Sequence, residues 1–292
     1  MFLHFCFLPY FFEDLMNSRV RTHIVQEETY IPEIFSYPQV PDAQFIKTVK
    51  VRDVDVENGY PFLDKSLKAR LLSFLINAGI HILVHPVSKI IYGLKIEGQE
   101  NIKKNRKLLK NGAMTVCNHV HRWDFCFVLL ASKKFRMWFP AKASNLETKD
   151  AVLIRGAGGI PVPQTLGAVR HFNETFDSLA KKKKWLHVFP EAARWDYYEP
   201  LRPFKKGGFK MALRYGYPII PMAISYRERK GFRKLLMKDK PLITIKIGTV
   251  ILPEQNENAT KNEAADLLRK NTHAEICRLA GIKQNCWEAE GD

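Results

Sequence analysis

From Leu94 onward, apolar runs of strand length alternate with segments of helical period, and this alternation limits the possible folds more than any other feature of the chain. Leu94–Gly98, Ala113–Cys117, Phe135–Ala141, Trp185–Phe189, Ile219–Ser225 and Leu242–Val250 read as strands. Trp123–Ser132, Thr165–Lys184, Lys206–Tyr215 and Lys261–Leu279 read as helices. Thr165–Lys184 is the clearest, with Leu166, Val169, Phe172, Phe176 and Leu179 along one face. Alternation of this kind predicts an α/β fold: a mixed, largely parallel sheet flanked by helices. No internal repeat or low-complexity tract interrupts it.

The chain divides into an irregular, proline-bearing N-terminal arm (1–65), an apolar helical appendage (66–93) and the α/β domain (94–292). In the appendage, the largely apolar stretch Leu71–Val84 is 14 residues long before His85 and Pro86 interrupt it. A bilayer crossing needs about 20, so no clear membrane span is expected. Two readings stand: a buried helix, or a helix lying in the lipid interface, with Val87–Leu94 as its continuation and Arg70 and Lys89 facing headgroups. Met1–Phe12 is aromatic and apolar but lacks the positive start of a signal peptide and runs into Glu13 and Asp14. It reads either as an interfacial anchor or as an extension upstream of a start at Met16.

With 292 residues the chain is long enough to bury a sizeable core, and its formal charge of +16 implies a polyanionic partner. The basic residues cluster at Lys103–Lys110, Lys181–Lys184 and Arg227–Lys240, which with the apolar stretches nearby points to an anionic membrane surface. No nucleic-acid motif is present, so nucleic acid is not the expected partner. The five cysteines, Cys6, Cys117, Cys126, Cys277 and Cys286, are too scattered for a disulfide framework or zinc knuckle and read as reduced thiols of a cytosolic protein.

Asn118-His-Val-His-Arg-Trp-Asp124 lies between a strand and a helix. Five positions on one continuous helix would set His119 and Asp124 about 140° apart. The two meet only if His119 lies in the corner and Asp124 in the first helical turn, where a carboxylate suits the positive end of the helix dipole. A carboxylate on one imidazole nitrogen fixes the tautomer and leaves the other nitrogen free to take a proton. The pair therefore reads as a general base with its orienting acid. A metal site built from His119, His121 and Asp124 is the weaker alternative, because the histidines stand at i, i+2 rather than on one helix face; no metal is expected.

Three further segments fall where strands end. Gly156–Pro163 is a glycine-rich loop stiffened by prolines, suited to close backbone approach by a ligand. Phe189-Pro-Glu-Ala-Ala-Arg194 places Glu191 and Arg194 at a strand's C-terminal edge, where open α/β sheets bind substrates. Tyr217–Met222 brackets a strand start with two prolines.

In this order and at these spacings the four segments resemble the blocks of the glycerolipid acyltransferase family, whose best-known members are 1-acyl-glycerol-3-phosphate acyltransferases. Asn118–Asp124 resembles the first block, Gly159–Pro163 the second, Phe189–Arg194 the third, and Tyr217–Met222 the fourth, preceded by Phe204–Ala212. The resemblance spans roughly residues 90–250. It implies acyl transfer from a thioester, on coenzyme A or acyl carrier protein, to the hydroxyl of a lysophospholipid, without another cofactor. The enzyme would sit at the cytoplasmic face of a membrane, peripheral or monotopic. His119 and Asp124 would be catalytic, Asn118, Gly159, Glu191 and Arg194 would bind substrate, and backbone N–H groups near the helix start or glycine-rich loop would hold the oxyanion. Two departures stand out. The family's second block usually ends in an Arg, where this chain reads Pro163-Gln164 with Arg155 and Arg170 nearby. Its third block usually has Gly and a hydroxyl residue, where this chain has Ala192 and Ala193. A different lysolipid or aminolipid acceptor, or a non-catalytic lipid-binding role, are the alternatives these departures raise.

Overall fold

The computed structural model describes residues 37–45, 49–231, 240–254 and 259–287. The expectations for Met1–Phe12, Met16 and part of the third basic cluster lie outside them.

The elements run α1 (Leu67–Ile91), β1 (Lys95–Glu97), α2 (Gln99–Lys104), α3 (Arg106–Leu109), β2 (Met114–Cys117), α4 (Asp124–Ala131), β3 (Phe139–Lys142), α5 (Ala151–Ala157), β4 (Gly159–Val162), α6 (Leu166–Lys181), β5 (Leu186–Val188), α7 (Gly207–Tyr215), β6 (Ile219–Arg227), β7 (Leu242–Ile247) and α8 (Lys261–Ala280). Five strands form one sheet in the order β1-β7-β6-β2-β5; β6 and β7 are antiparallel and the other neighbours parallel. β3 and β4 pair in parallel as a second small sheet, joined to the first by a bridge from Trp138 to Leu186. The fold is thus the mixed, largely parallel α/β sheet that the alternation predicts.

Period-two alternation sends the strand residues to two cores. Cys117, Ile220, Met222 and Ile224 face Ile76, Ile80 and Val84 of α1 and Phe127 and Val128 of α4. Met114, Val116, Ile219 and Ala223 face Phe172 and Phe176 of α6, Phe209 of α7 and Leu268 and Ile276 of α8. Thr165 caps α6 and Thr260 closes a capping box with Glu263 on α8, as side chains that satisfy orphan N–H groups should. Leu166, expected on the buried face of α6, is instead 90 % exposed, while Ala168 of the same turn takes the core position.

Two expectations fail at α1. Pro86 does not interrupt the helix. The backbone widens into a π turn over Ile80–Val84, with His85 N–H bonding Ile80 O, and this absorbs the missing proline N–H and its ring. The helix therefore runs for 25 residues and is long and apolar enough, by length and composition, to cross a bilayer. One face is built into the core through Ile76, Ile80 and Val84, while Leu67, Leu71, Phe74, Ile82 and Ile90 are exposed along the other. Arg227 and Arg229, expected among the membrane-facing charges, turn inward: Arg229 donates to Ile91 O and Arg227 to Gly93 O, capping the helix end with cations.

Candidate active site

β2, β5 and β6 run parallel, so their C-terminal ends lie together. Asn118 leaves β2 and locks the corner to β6, its Oδ1 accepting from Ile224 N at 2.8 Å and its Nδ2 donating to Ile224 O at 2.9 Å. Both ends of this buried amide, expected as a substrate ligand, bond the backbone, so the side chain fastens the end of β2 to β6.

The corner brings His119 and Asp124 together. Nδ1 of His119 lies 3.0 Å from Asp124 Oδ2, and the same oxygen accepts from the backbone N–H of Val120 at 2.7 Å and of His121 at 2.8 Å. An ionised carboxylate only accepts, so Nδ1 carries the proton and Nε2 keeps a free lone pair. The imidazole stacks on Phe189, centroids 4.1 Å apart, and its side chain is 25 % exposed, whereas Asp124 is wholly buried. Burial, then the cations Arg194 and Arg202, hold the imidazole well below its ordinary titration range, with smaller pushes from His187 and Lys142. Burial pushes the Asp124 carboxyl up, while the two backbone donors pull it down. Because Val120 and His121 spend their N–H groups on Asp124, the helix start does not offer them to an oxyanion, contrary to expectation. His121 sits apart from the pair: its Nδ1 accepts from Trp123 N, and its ring packs on Tyr92, Phe127 and Tyr197. The three candidate metal ligands therefore do not converge.

Gly156–Pro163 is not an open loop. It is the end of α5 followed by strand β4, whose Pro161 is tolerated on an edge strand. The close approach its glycines allow is internal. A Cβ on Gly156 would fall 2.2 Å from Ile76 Cδ1 of α1, and one on Gly159 would fall 2.6 Å from Ile154 Cγ2. The lack of a side chain at Gly159, expected as a ligand contact, is required by this packing. Ser73 Oγ and Asn77 Nδ2 both reach Gly156 O, fastening α1 at this crossing.

In the third block, Glu191 is fully buried. Its Oε2 accepts from His119 N at 2.8 Å and Arg202 Nη2 at 2.8 Å, and its Oε1 from Arg202 N at 3.1 Å. Expected as a headgroup ligand, Glu191 here ties the His119 backbone to Arg202. Arg194 lies at the edge of the site with Nε 2.8 Å from Asp196 Oδ1. Arg202 is the residue that sequence reasoning missed. Among so many basic residues it carries no signal except its place just before the fourth-block lead-in, Pro203-Phe204-Lys205.

The two arginines near the altered second block are engaged elsewhere. Arg155 donates to Pro61 O and Phe62 O, and Arg170 pairs with Glu174 on the helix surface. Glu57 of the N-terminal arm accepts from Gln164 N and from Thr165 N and Oγ1.

An imidazole oriented by a carboxylate at the C-terminal edge of a sheet is an arrangement suited to general-base chemistry such as group transfer. An acyltransferase family model matches residues 93–225. The 1-acyl-sn-glycerol-3-phosphate acyltransferase of Saccharomyces cerevisiae is 26% identical over 203 residues, 63% of this chain and 59% of the relative. The enzyme of the same name from Limnanthes douglasii is 28% identical over 167 residues, 53% of this chain and 54% of the relative. The crystal structure of the 1-acyl-sn-glycerophosphate (LPA) acyltransferase PlsC from Thermotoga maritima aligns at a TM-score of 0.46 and 20% identity, over 77% of this chain and 86% of that one. The chain spans somewhat over half the length of the curated relatives it matches. With its four ordered blocks, the chain is similar to members of the glycerolipid acyltransferase family.

Proposed function

We propose that the protein transfers a fatty acyl group from a thioester, on coenzyme A or acyl carrier protein, to the free hydroxyl of a lysophospholipid, with 1-acyl-glycerol-3-phosphate as the acceptor. The observation that carries the reading is the oriented imidazole, its Nδ1 held by Asp124 and its Nε2 open. A hydroxyl is a poor nucleophile until its proton is drawn off. His119 Nε2 takes that proton as the oxygen attacks the thioester carbonyl. The tetrahedral intermediate collapses, the C–S bond breaks, and the leaving thiolate takes the proton back from Nε2. Base catalysis of this kind contributes about 10²–10⁴-fold. Asp124 stabilises the transient imidazolium. No acyl-enzyme is required.

Arg194 and the half-buried Lys142 supply positive charge beside the imidazole. Desolvation disfavours the Lys142 ammonium, and a bound phosphate would restore the balance. The exposed apolar face of α1 supports attachment to a membrane surface, with the acyl chain entering from the lipid side; the reading places the protein at the cytoplasmic face, peripheral or monotopic.

The engagement of Arg155 and Arg170 elsewhere favours one second reading, an acceptor with another headgroup. Incubating purified protein with a labelled acyl thioester and a panel of lysolipids tests both. Labelled phosphatidic acid as the main product supports the first reading. A different labelled diacyl lipid supports the second, and no product with any donor or acceptor sinks both.

A further inference from the structure

One side chain outside the four blocks converges on the catalytic corner. Arg202 is fully buried. Its Nη2 donates to Glu191 Oε2 at 2.8 Å and to Ala193 O at 2.5 Å, and its Nη1 donates to Pro41 O at 2.9 Å. Its guanidinium lies 4.4 Å from the Trp195 ring centroid, and Trp195 Nε1 in turn donates to Ala43 O. The Glu191 oxygen that receives Arg202 also receives the backbone N–H of His119. Segment 37–45 clasps this assembly from outside. Tyr37 Oη donates to Asp196 O, Asp42 pairs with Lys205 at 3.0 Å, and the Tyr37 and Phe45 rings pack with Trp195 and Tyr198.

We propose that Arg202 is a positioning residue for His119: clasped by segment 37–45, it fixes the Glu191 carboxylate that holds the residue-119 backbone, and so sets where the open imidazole nitrogen points. The inference rests on the base role proposed above for His119. A buried carboxylate without its cation would turn away toward water, still ionised, and the 119 N–H would lose its anchor. The planar guanidinium bridges Glu191, Ala193 and Pro41 at once, which a lysine ammonium on a flexible stem does not reproduce.

A merely structural ion pair and a positioning pair differ in what they do to the imidazole. The charged and titratable groups around it are Asp124, Glu191, Arg194, Arg202, Lys142 and His187. Removing the Arg202 charge takes away a cation that opposes the imidazolium, so the His119 midpoint rises in Arg202→Gln. Removing the Glu191 charge leaves that cation uncompensated, so the midpoint falls further in Glu191→Gln. Nitrogen-15 NMR titration of the imidazole reads both shifts without turnover, which separates a failure of this inference from a failure of the acyltransferase reading.

In turnover, Arg202→Gln is expected to lower kcat by about ten- to a hundredfold with KM for the thioester nearly unchanged, because misplacement of the base costs rate rather than binding. Arg202→Lys should keep the wild-type midpoint and recover part of the rate. Midpoints that move in the same direction in Arg202→Gln and Glu191→Gln, or that do not move, overturn the proposal, as does wild-type kcat in Arg202→Gln. If Arg202→Gln does not fold, the other two variants decide. A lowered midpoint in Glu191→Gln with reduced kcat in Arg202→Lys supports the proposal, and wild-type values in both overturn it.

Discussion

Asp124 meets His119 through one carboxylate oxygen, and that oxygen also accepts the N–H groups of Val120 and His121, so the same contact orients the imidazole and closes the turn between β2 and α4. Chemistry and local folding are therefore joined at Asp124 and separable at His119. His119→Ala should abolish acyl transfer, a loss of about 10²–10⁴-fold, while the thermal midpoint changes little. Asp124→Ala should cost both, because two backbone donors lose their acceptor in a buried corner, at about 1–3 kcal/mol each. Parallel turnover and thermal-melt measurements check the split. A His119→Ala protein with wild-type turnover removes the base.

Acid should act on this fold through its buried neutral histidines. Burial pushes His187 down to about 3 and His273 to about 4. Both bind their proton less readily folded than unfolded. Their contribution to stability is present above the unfolded value of about 6.5 and is lost as pH falls toward the folded values, at up to about 1.4 kcal/mol per pH unit for each group. Denaturant midpoints measured from pH 7 to pH 4 should decline accordingly, and His187→Gln should flatten the decline. The depressed imidazole of His119 gives the matching kinetic expectation. The base is neutral at physiological pH, so the acid limb of kcat/KM should lie below pH 6.5 rather than above it.

How much of this was legible in the sequence follows from how local each signal is. Strands such as Ile219–Arg227 and helices such as Leu166–Lys181 carry their period in adjacent residues, and the reading found them. His119 and Asp124 were legible because a strand–corner–helix context leaves one geometry in which they meet. The internal partners of Asn118, Gly159 and Glu191 are not legible, because a sequence does not say whether a polar group faces a cleft or the backbone of a strand more than a hundred positions away. Strand β4 reads as a loop because its glycine and proline are loop residues anywhere except on a sheet edge. The continuation of α1 past Pro86 depends on a π turn that no local pattern announces.

The exposed face of α1 is joined by Phe135, whose ring lies 5.4 Å from that of Phe74 and stacks on His81 at 5.7 Å. Lys133 and Lys134 immediately precede Phe135. Such a ridge should enter a lipid interface. The double variant Phe74→Ser, Phe135→Ser should weaken binding to anionic vesicles at least about tenfold, since each phenyl ring contributes about 1.5–3 kcal/mol when removed from water. High salt should weaken the wild type by a smaller factor, because each well-placed basic residue contributes about 1 kcal/mol of screenable attraction. Vesicle co-sedimentation measures both. Unchanged binding in the variant would exclude this face as the docking element.

The third block also contains a conformational strain that the family's usual glycine avoids. Ala192 sits at φ +60°, in the left-handed region, with its N–H donating to Phe189 O and the following Ala193 N–H donating to Glu191 O. A Cβ makes that region unfavourable, whereas glycine enters it freely. The tight turn persists because Glu191 is pinned on both oxygens and because Trp195 N and Tyr197 N are bonded to His119 O and Val120 O. Replacing Ala192 with glycine relieves the strain but also loosens the unfolded chain, and the two effects oppose. At left-handed positions relief is the larger, so Ala192→Gly should raise stability by about 0.5–1 kcal/mol. The turn holds Glu191, and Glu191 holds the base, so turnover should be retained or modestly increased. A denaturant melt showing a loss of stability would mean that the surrounding hydrogen bonds, and not the residue at 192, determine the turn.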